Sequence, residues 1–159
     1  LVKTSVPVKS LAEEIKQSSF ESDHQRVVLN ILFTNGWLKE QLAQWLKPYG
    51  LTAQQFNVLR ILRGQHPQPV TTWEIRDRML DKMSDASRLV DRLAKMKYVE
   101  KCVSPGDRRL VDVRISAAGL DLLEQIHVRT TAPQERMKNA LTPEEAQLLS
   151  SLLDKLRAC

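Results

Sequence analysis

Apolar positions along the chain recur mostly at steps of three and four, the spacing that lines one face of an α-helix. Five of these stretches open on a Ser or Thr followed three positions later by Glu or Gln: Ser10 with Glu13, Ser22 with Gln25, Thr52 with Gln55, Thr71 with Glu74, and Thr142 with Glu145. In such a capping box each side chain bonds the other residue's free backbone N–H, which fixes where a helix begins. The pattern therefore predicts a mostly helical chain. The first long helix is expected from about Asp23 to Leu46, broken by Lys47-Pro48-Tyr49-Gly50. Along it Val28, Ile31, Asn35, Leu38, Leu42 and Trp45 form a coiled-coil-like seam, with Phe33 and Trp37 as a second stripe beside it. Two stripes are more than one small domain buries, so a partner is implied.

A second helix from Thr52 carries Phe56, Leu59 and Leu62 and ends near Gly64, before the loop QHPQPV. A short helix from about Thr72 directs Ile75, Met79 and Leu80 inward. After the break Asp81-Lys82-Met83, a further helix from about Ser84 to Lys97 buries Ala86, Leu89, Val90, Leu93 and Met96, and two helices joined by so short a turn make a helix-turn-helix unit. Then the period changes. Residues 98–103 and 110–115 read as two short strands joined by SPGDRR, where Pro105 and Gly106 suit the centre of a type II turn. Ser116 opens a helix with Leu120, Leu123, Ile126 and His127 on one face. A closing helix from Pro143 to about Leu156 aligns Ala146, Leu149, Leu152, Leu153 and Leu156. The expected fold class is mainly α with a small two-stranded β-wing.

Composition narrows the function. With 159 residues, 42% hydrophobic and 27% charged, the chain suits one compact domain or two small lobes and is not disordered. It begins at Leu1 and not Met, so a few leading residues are expected to have been removed. No apolar run approaches a membrane span and no segment resembles a signal peptide, so the expected location is cytoplasmic. Cys102 and Cys159 lie far apart, and His24, His66 and His127 lack metal-ligand spacing, so neither a disulfide framework nor a metal or other cofactor is expected. The net charge is +5, and residues 57–116 hold all of this excess, with 13 of the 24 Lys and Arg against 8 of the 19 Asp and Glu. A basic middle between neutral ends is the electrostatic footprint of a nucleic-acid reader.

The outward face of the Ser84–Lys97 helix carries Ser84, Ser87, Arg88, Asp91, Arg92 and Lys95. Small hydroxyl residues at its start admit a close approach to a DNA groove, and the cations beyond reach bases or phosphates, as a recognition helix requires. Asp91, spaced at three and four from Arg88 and Lys95, is expected to orient those cations. Taken alone, the face would equally serve as an ordinary solvated surface. The hairpin favours DNA. Its tip presents Arg108 and Arg109, and arginine is the residue drawn into a narrow, strongly negative minor groove. Asp107 stands two residues before Arg109 and is placed to orient it by a salt bridge.

With the order helix, short helix, MSDASRLVDRLAKMKYVEK and then SPGDRRLVDVRISAAG, the sequence resembles the multiple-antibiotic-resistance regulator (MarR) family of bacterial winged-helix transcription factors. The resemblance is most specific over about residues 51–120, in LTAQQFNVLRIL, SRLVDRL and GDRR followed by VDVRISAAG; the outer helices match in placement and length. It implies a homodimer with interlocking terminal helices whose two winged lobes read a pseudo-palindromic double-stranded operator. It implies too that a small lipophilic or phenolic effector releases the DNA. The family's wing pattern maps onto Asp107 and Arg109, and its recognition-helix residues onto Ser84, Ser87 and Arg88. The expected organisation is an arm or short helix over 1–21, a dimerisation helix over 22–50, the winged helix-turn-helix over 51–118, and C-terminal dimerisation helices over 119–159. The expected DNA-binding set is Thr71, Ser84, Ser87, Arg88, Arg92, Lys95, Asp107, Arg108 and Arg109.

Phe33 and Trp37, with Trp45 and His127, are candidates for the effector pocket, although aromatics at helical spacing more often form core or dimer interface. Trp73 is expected to pack, and Cys102 to be a small buried hydrophobe. Two alternatives stay open: a regulator that senses oxidants through Cys102 or Cys159, and a winged helix that binds protein rather than DNA. An enzyme is not expected, since the sequence offers no nucleophile–base pairing, phosphate-cradling glycine loop or metal cluster.

Overall fold

The computed structural model describes residues 9–104, 110–129 and 133–158. Two compact units divide between Glu40 and Gln41, inside the first long helix. In the first, α1 (Leu11–Glu14) starts at a complete Ser10–Glu13 capping box. It ends at Glu14, and two residues on Lys16 takes a left-handed φ of 53° that does not continue a helix. The Arg26 guanidinium lies 5.7 Å from the centre of the Phe20 ring. Helix α2 (Asp23–Leu46) has the expected bounds. Ser22 accepts the Gln25 N–H at 3.1 Å, but the Gln25 amide oxygen accepts from Glu21 rather than from Ser22, so this box is displaced by one residue. The early α2 positions Val27, Val28, Leu32, Phe33 and Trp37 are all exposed.

In the second unit, the end of α2 contributes buried Leu46, a 3₁₀ turn follows over Lys47–Tyr49, and Gly50 closes it with φ 64°. The elements α3 (Ala53–Gln65), α4 (Thr72–Arg78) and α5 (Ala86–Lys95) converge on Val58, Leu59, Leu62, Ile75, Met79, Val90 and Leu93, all fully buried. Capping boxes at Thr52 and Thr71 hold the first two starts. The wing strands β2 (Val99–Val103) and β3 (Val111–Ile115) pair antiparallel, Val99 opposite Ile115 and Val103 opposite Val111. A third strand, β1 (Val70–Thr71), adds to β3 and gives the order β1-β3-β2. Two residues are too few to show an alternating pattern, so β1 is set by its partner and not by its own sequence. Helices α6 (Ala117–Arg129), α7 (Pro133–Ala140) and α8 (Pro143–Arg157) complete the chain. Helix α7 was not anticipated: it is mostly polar, and its described side chains are exposed.

Three inward assignments are corrected. Leu80 is 88% exposed, because its N–H is held at 2.9 Å by the Asn57 side chain just after α4 ends, and its side chain turns outward. Trp73, expected to pack, is 61% exposed, since α4 turns Ile75 and Met79 to the core instead. Cys102 is exposed too, for β2 is an edge strand whose only buried side chain is Val99.

Candidate nucleic-acid interface

The helix-turn-helix is built from α4 and α5, but the turn is longer than the sequence suggested. Lys82 donates its ammonium to the Asp77 carbonyl, the Asp81 carboxylate accepts from Met83, and the Ser84 N–H reaches the Asp81 carbonyl at 3.2 Å. Ser84 therefore lies in the turn, half-buried, and not on the recognition helix. Asp85 is the true N-cap: its carboxylate accepts the Arg88 N–H at 3.1 Å and also pairs with the Arg88 side chain, Nε to Oδ2 at 3.1 Å. Sequence reasoning missed Asp85 as the group that orients Arg88, although an acid three residues ahead of a helical arginine was a visible signal.

Downstream, α5 turns Ser87, Arg88, Asp91, Arg92 and Lys95 to the exterior, opposite Ala86, Val90 and Leu93. Asp91 does not pair chiefly within the helix. Its carboxylate bonds the Lys101 ammonium of β2, so recognition helix and wing are tied by an ion pair. That bond holds the Asp91 carboxyl below its ordinary value, with Lys95 a smaller influence. The tether is therefore present at neutral pH and is lost only as pH falls through this lowered value. Thr71 begins α4, and its hydroxyl is already engaged, accepting from the Glu74 N–H and donating to the Glu74 carboxylate, whose pKa those Thr71 bonds lower. The wing ladder extends to Ser104, whose N–H meets the Leu110 carbonyl at 3.1 Å. Asp107, Arg108 and Arg109 lie outside the described residues, as does the Pro105-Gly106 turn.

Apart from this surface, α3, α6 and the end of α2 enclose a cavity of about 130 Å³ lined by Trp45, Phe56, Arg60, Arg63, Leu123, Ile126 and His127. Trp45 and Phe56 meet edge to face at 5.3 Å. Trp45 Nε1 is buried without a hydrogen-bond partner among the described residues, while His127 is exposed at the rim and does not share the buried face of α6. Phe33 and Trp37, in the first unit, are each 42% exposed. Among the described residues no group of His, Cys, Asp and Glu could hold a metal ion, and no helix is long and apolar enough to cross a membrane.

These features have close counterparts. A family model described as "MarR family" matches residues 49–110. The multiple antibiotic resistance protein MarR of Escherichia coli is 33% identical over 117 residues, covering 72% of this chain and 79% of that protein. The chain belongs to the MarR family. It is thus a DNA-binding transcription regulator of the winged helix-turn-helix type, from a family that is not enzymatic. A crystal structure of a cysteine-to-serine mutant of E. coli MarR in complex with operator DNA matches with a TM-score of 0.72 and 30% identity, over 87% of this chain and 99% of that one. The fold extends further, to a Staphylococcus aureus MepR–DNA complex with a TM-score of 0.73 at 17% identity, over 88% of this chain and 98% of that one.

Proposed function

We propose that two copies of this MarR-family chain bind one pseudo-palindromic operator, each laying α5 in a major groove and its wing along the adjacent minor groove, and thereby repress transcription in the cytoplasm until a small effector releases them. The observation that carries this reading is the outward face of α5, where Ser87, Arg88, Arg92 and Lys95 stand exposed together on the helix that leads into the wing. Ser84 supports the face from the turn, and Thr71 contributes through the backbone of the α4 start. The operator complex of the E. coli relative supports the same use here. Dimerisation through residues 22–50 and 119–159 is supported by the α8 leucines Leu148, Leu149, Leu152 and Leu156, which are about half exposed in a single chain, and by the exposed early α2 face. Reading two half-sites on one side of a duplex requires such a two-fold pair.

The effector is proposed to be a lipophilic or phenolic ring compound. A cavity of about 130 Å³ suits one aromatic ring, and a phenolic or carboxylate oxygen would satisfy the buried Trp45 Nε1. Phe33 and Trp37, each 42% exposed in a single chain, are proposed as further effector contacts of the dimer.

Replacing Arg109 by Ala tests the wing. Operator affinity should fall by about 1 to 3 kcal/mol, and the slope of log affinity against log salt should shrink by about one unit. Unchanged affinity and slope would remove the wing from the mechanism. A winged helix specialised for protein binding would show no salt-dependent duplex binding at all.

The exposure of Cys102 favours a second reading, oxidant sensing. Under that reading peroxide releases DNA from the native protein and not from a variant with Cys102 and Cys159 both replaced by Ser. Cys159 lies outside the described residues. Equal release from both proteins would exclude the cysteines.

A further inference from the structure

Beside α5 the surface holds a second concavity, of about 480 Å³, walled by Thr72, Trp73 and Arg76 of α4, by the turn from Lys82 to Asp85, and by Ala86 and Ser87 at the start of α5. Its composition is unusual for a surface left to water. Trp73 is 61% exposed and Met83 almost wholly so, and neither contributes to the core. Arg76 follows Trp73 by three residues and shares its face. The other arginine of α4, Arg78, pairs with Glu74 at 4.0 Å, whereas Arg76 has no ion pair among the described residues. The one acid in the wall, Asp85, is already matched by Arg88. The concavity is therefore an aromatic wall with net positive charge. It also joins the recognition surface directly, since Ser87 belongs to both.

We propose that this groove seats the sugar-phosphate backbone of one DNA strand, with the Trp73 indole packed on a deoxyribose and Arg76 paired with the neighbouring phosphate. The inference rests on the DNA-binding reading and adds residues that reading does not use. When a helix lies in a major groove about 12 Å wide, the phosphates at the rim fall one side chain away from it, and the preceding helix crosses that rim. An indole offers an apolar face for the sugar and a wet edge for the phosphate, while guanidinium matches phosphate in a planar fork. Backbone contacts of this kind carry no sequence information. They fix the register in which Ser87, Arg88 and Arg92 meet the bases.

The test titrates the native protein, Trp73→Ala, Trp73→Phe and Arg76→Gln against two duplexes, a selected operator and a scrambled one, over a range of salt. Both residues are exposed, so the thermal midpoints should match that of the native protein. Trp73→Ala should weaken binding about tenfold on both duplexes with the salt slope unchanged, and Trp73→Phe should recover most of the loss. Arg76→Gln should weaken both and reduce the slope by about one unit. Native affinity and slope in Trp73→Ala and Arg76→Gln, or losses confined to the operator duplex, would overturn the groove while leaving DNA binding intact. Failure of the native protein to bind either duplex would overturn both.

Discussion

Replacing Leu152 and Leu156 together by Asp should convert the proposed dimer to a monomer in sedimentation and weaken binding to a two-half-site operator by at least about 100-fold. Both leucines lie on α8 and remain 54% and 47% exposed in a single chain. The proposed two-fold interface would duplicate every substitution, so the double variant would place four carboxylates in one apolar seam. A charge buried without a partner costs several kcal/mol, enough to dissociate a dimer of ordinary size. The operator loss follows from geometry, because a monomer reaches one half-site and forfeits the effective concentration that the second lobe gains from the first. The core around Leu59, Leu62, Ile75 and Leu93 does not include α8. The helical signal of the winged unit should therefore persist. Dimeric sedimentation with native operator affinity would show that the α8 leucines serve another purpose.

Replacing Gly119 by Ala should lower stability by about 2 kcal/mol, read as a shift in the urea midpoint. A β-carbon there would stand 2.3 Å from the Tyr98 carbonyl oxygen and 2.8 Å from the Ile115 side chain. The oxygen cannot simply yield. It accepts the Ser116 N–H at 3.0 Å, and the Ser116 hydroxyl donates to the Lys97 carbonyl at 2.8 Å while accepting from Gly119 itself. The start of α6 is thereby pinned to the foot of the wing, and a methyl group must push one from the other. Gly64 provides the control. It lies within α3, nothing stands within 4 Å of a β-carbon there, and Ala should stabilise by about 0.5 to 1 kcal/mol. A neutral Gly119→Ala would mean that α6 and the wing are not rigidly joined.

Local signals carried most of the fold. The α2 bounds follow from Ser22 at one end and Pro48 with Gly50 at the other, and the starts of α3, α4 and α8 follow from their capping boxes. The winged core was legible because Leu59, Ile75, Val90 and Leu93 keep a helical period that only burial explains. What escaped depended on partners distant in sequence. Strand β1 exists because Val113 and Asp112 are there to pair with it. Leu80 points outward because Asn57, 23 residues earlier, captures its backbone. Asp91 had cations at helical spacing, yet Lys101 on the neighbouring strand holds it instead. At the interface the sequence found the exposed cations of α5 but placed Ser84 on the helix when it belongs to the turn. Asp85 was legible as a local cap of α5 and was overlooked, whereas Trp73 and Arg76 gave no periodic signal, since a surface concavity emerges only when α4 and α5 are set side by side.

Two copies gripping one duplex through α5 and the wing is the arrangement proposed for this protein. The most direct measurement is sedimentation of the purified protein with a duplex selected from random sequence, at rising salt. The expected result is a complex of two chains on one duplex, on a palindrome whose half-sites lie about one helical turn apart, with affinity falling steeply as salt is added. A monomer that ignores duplexes even in dilute buffer, or one whose binding is indifferent to salt, would contradict it.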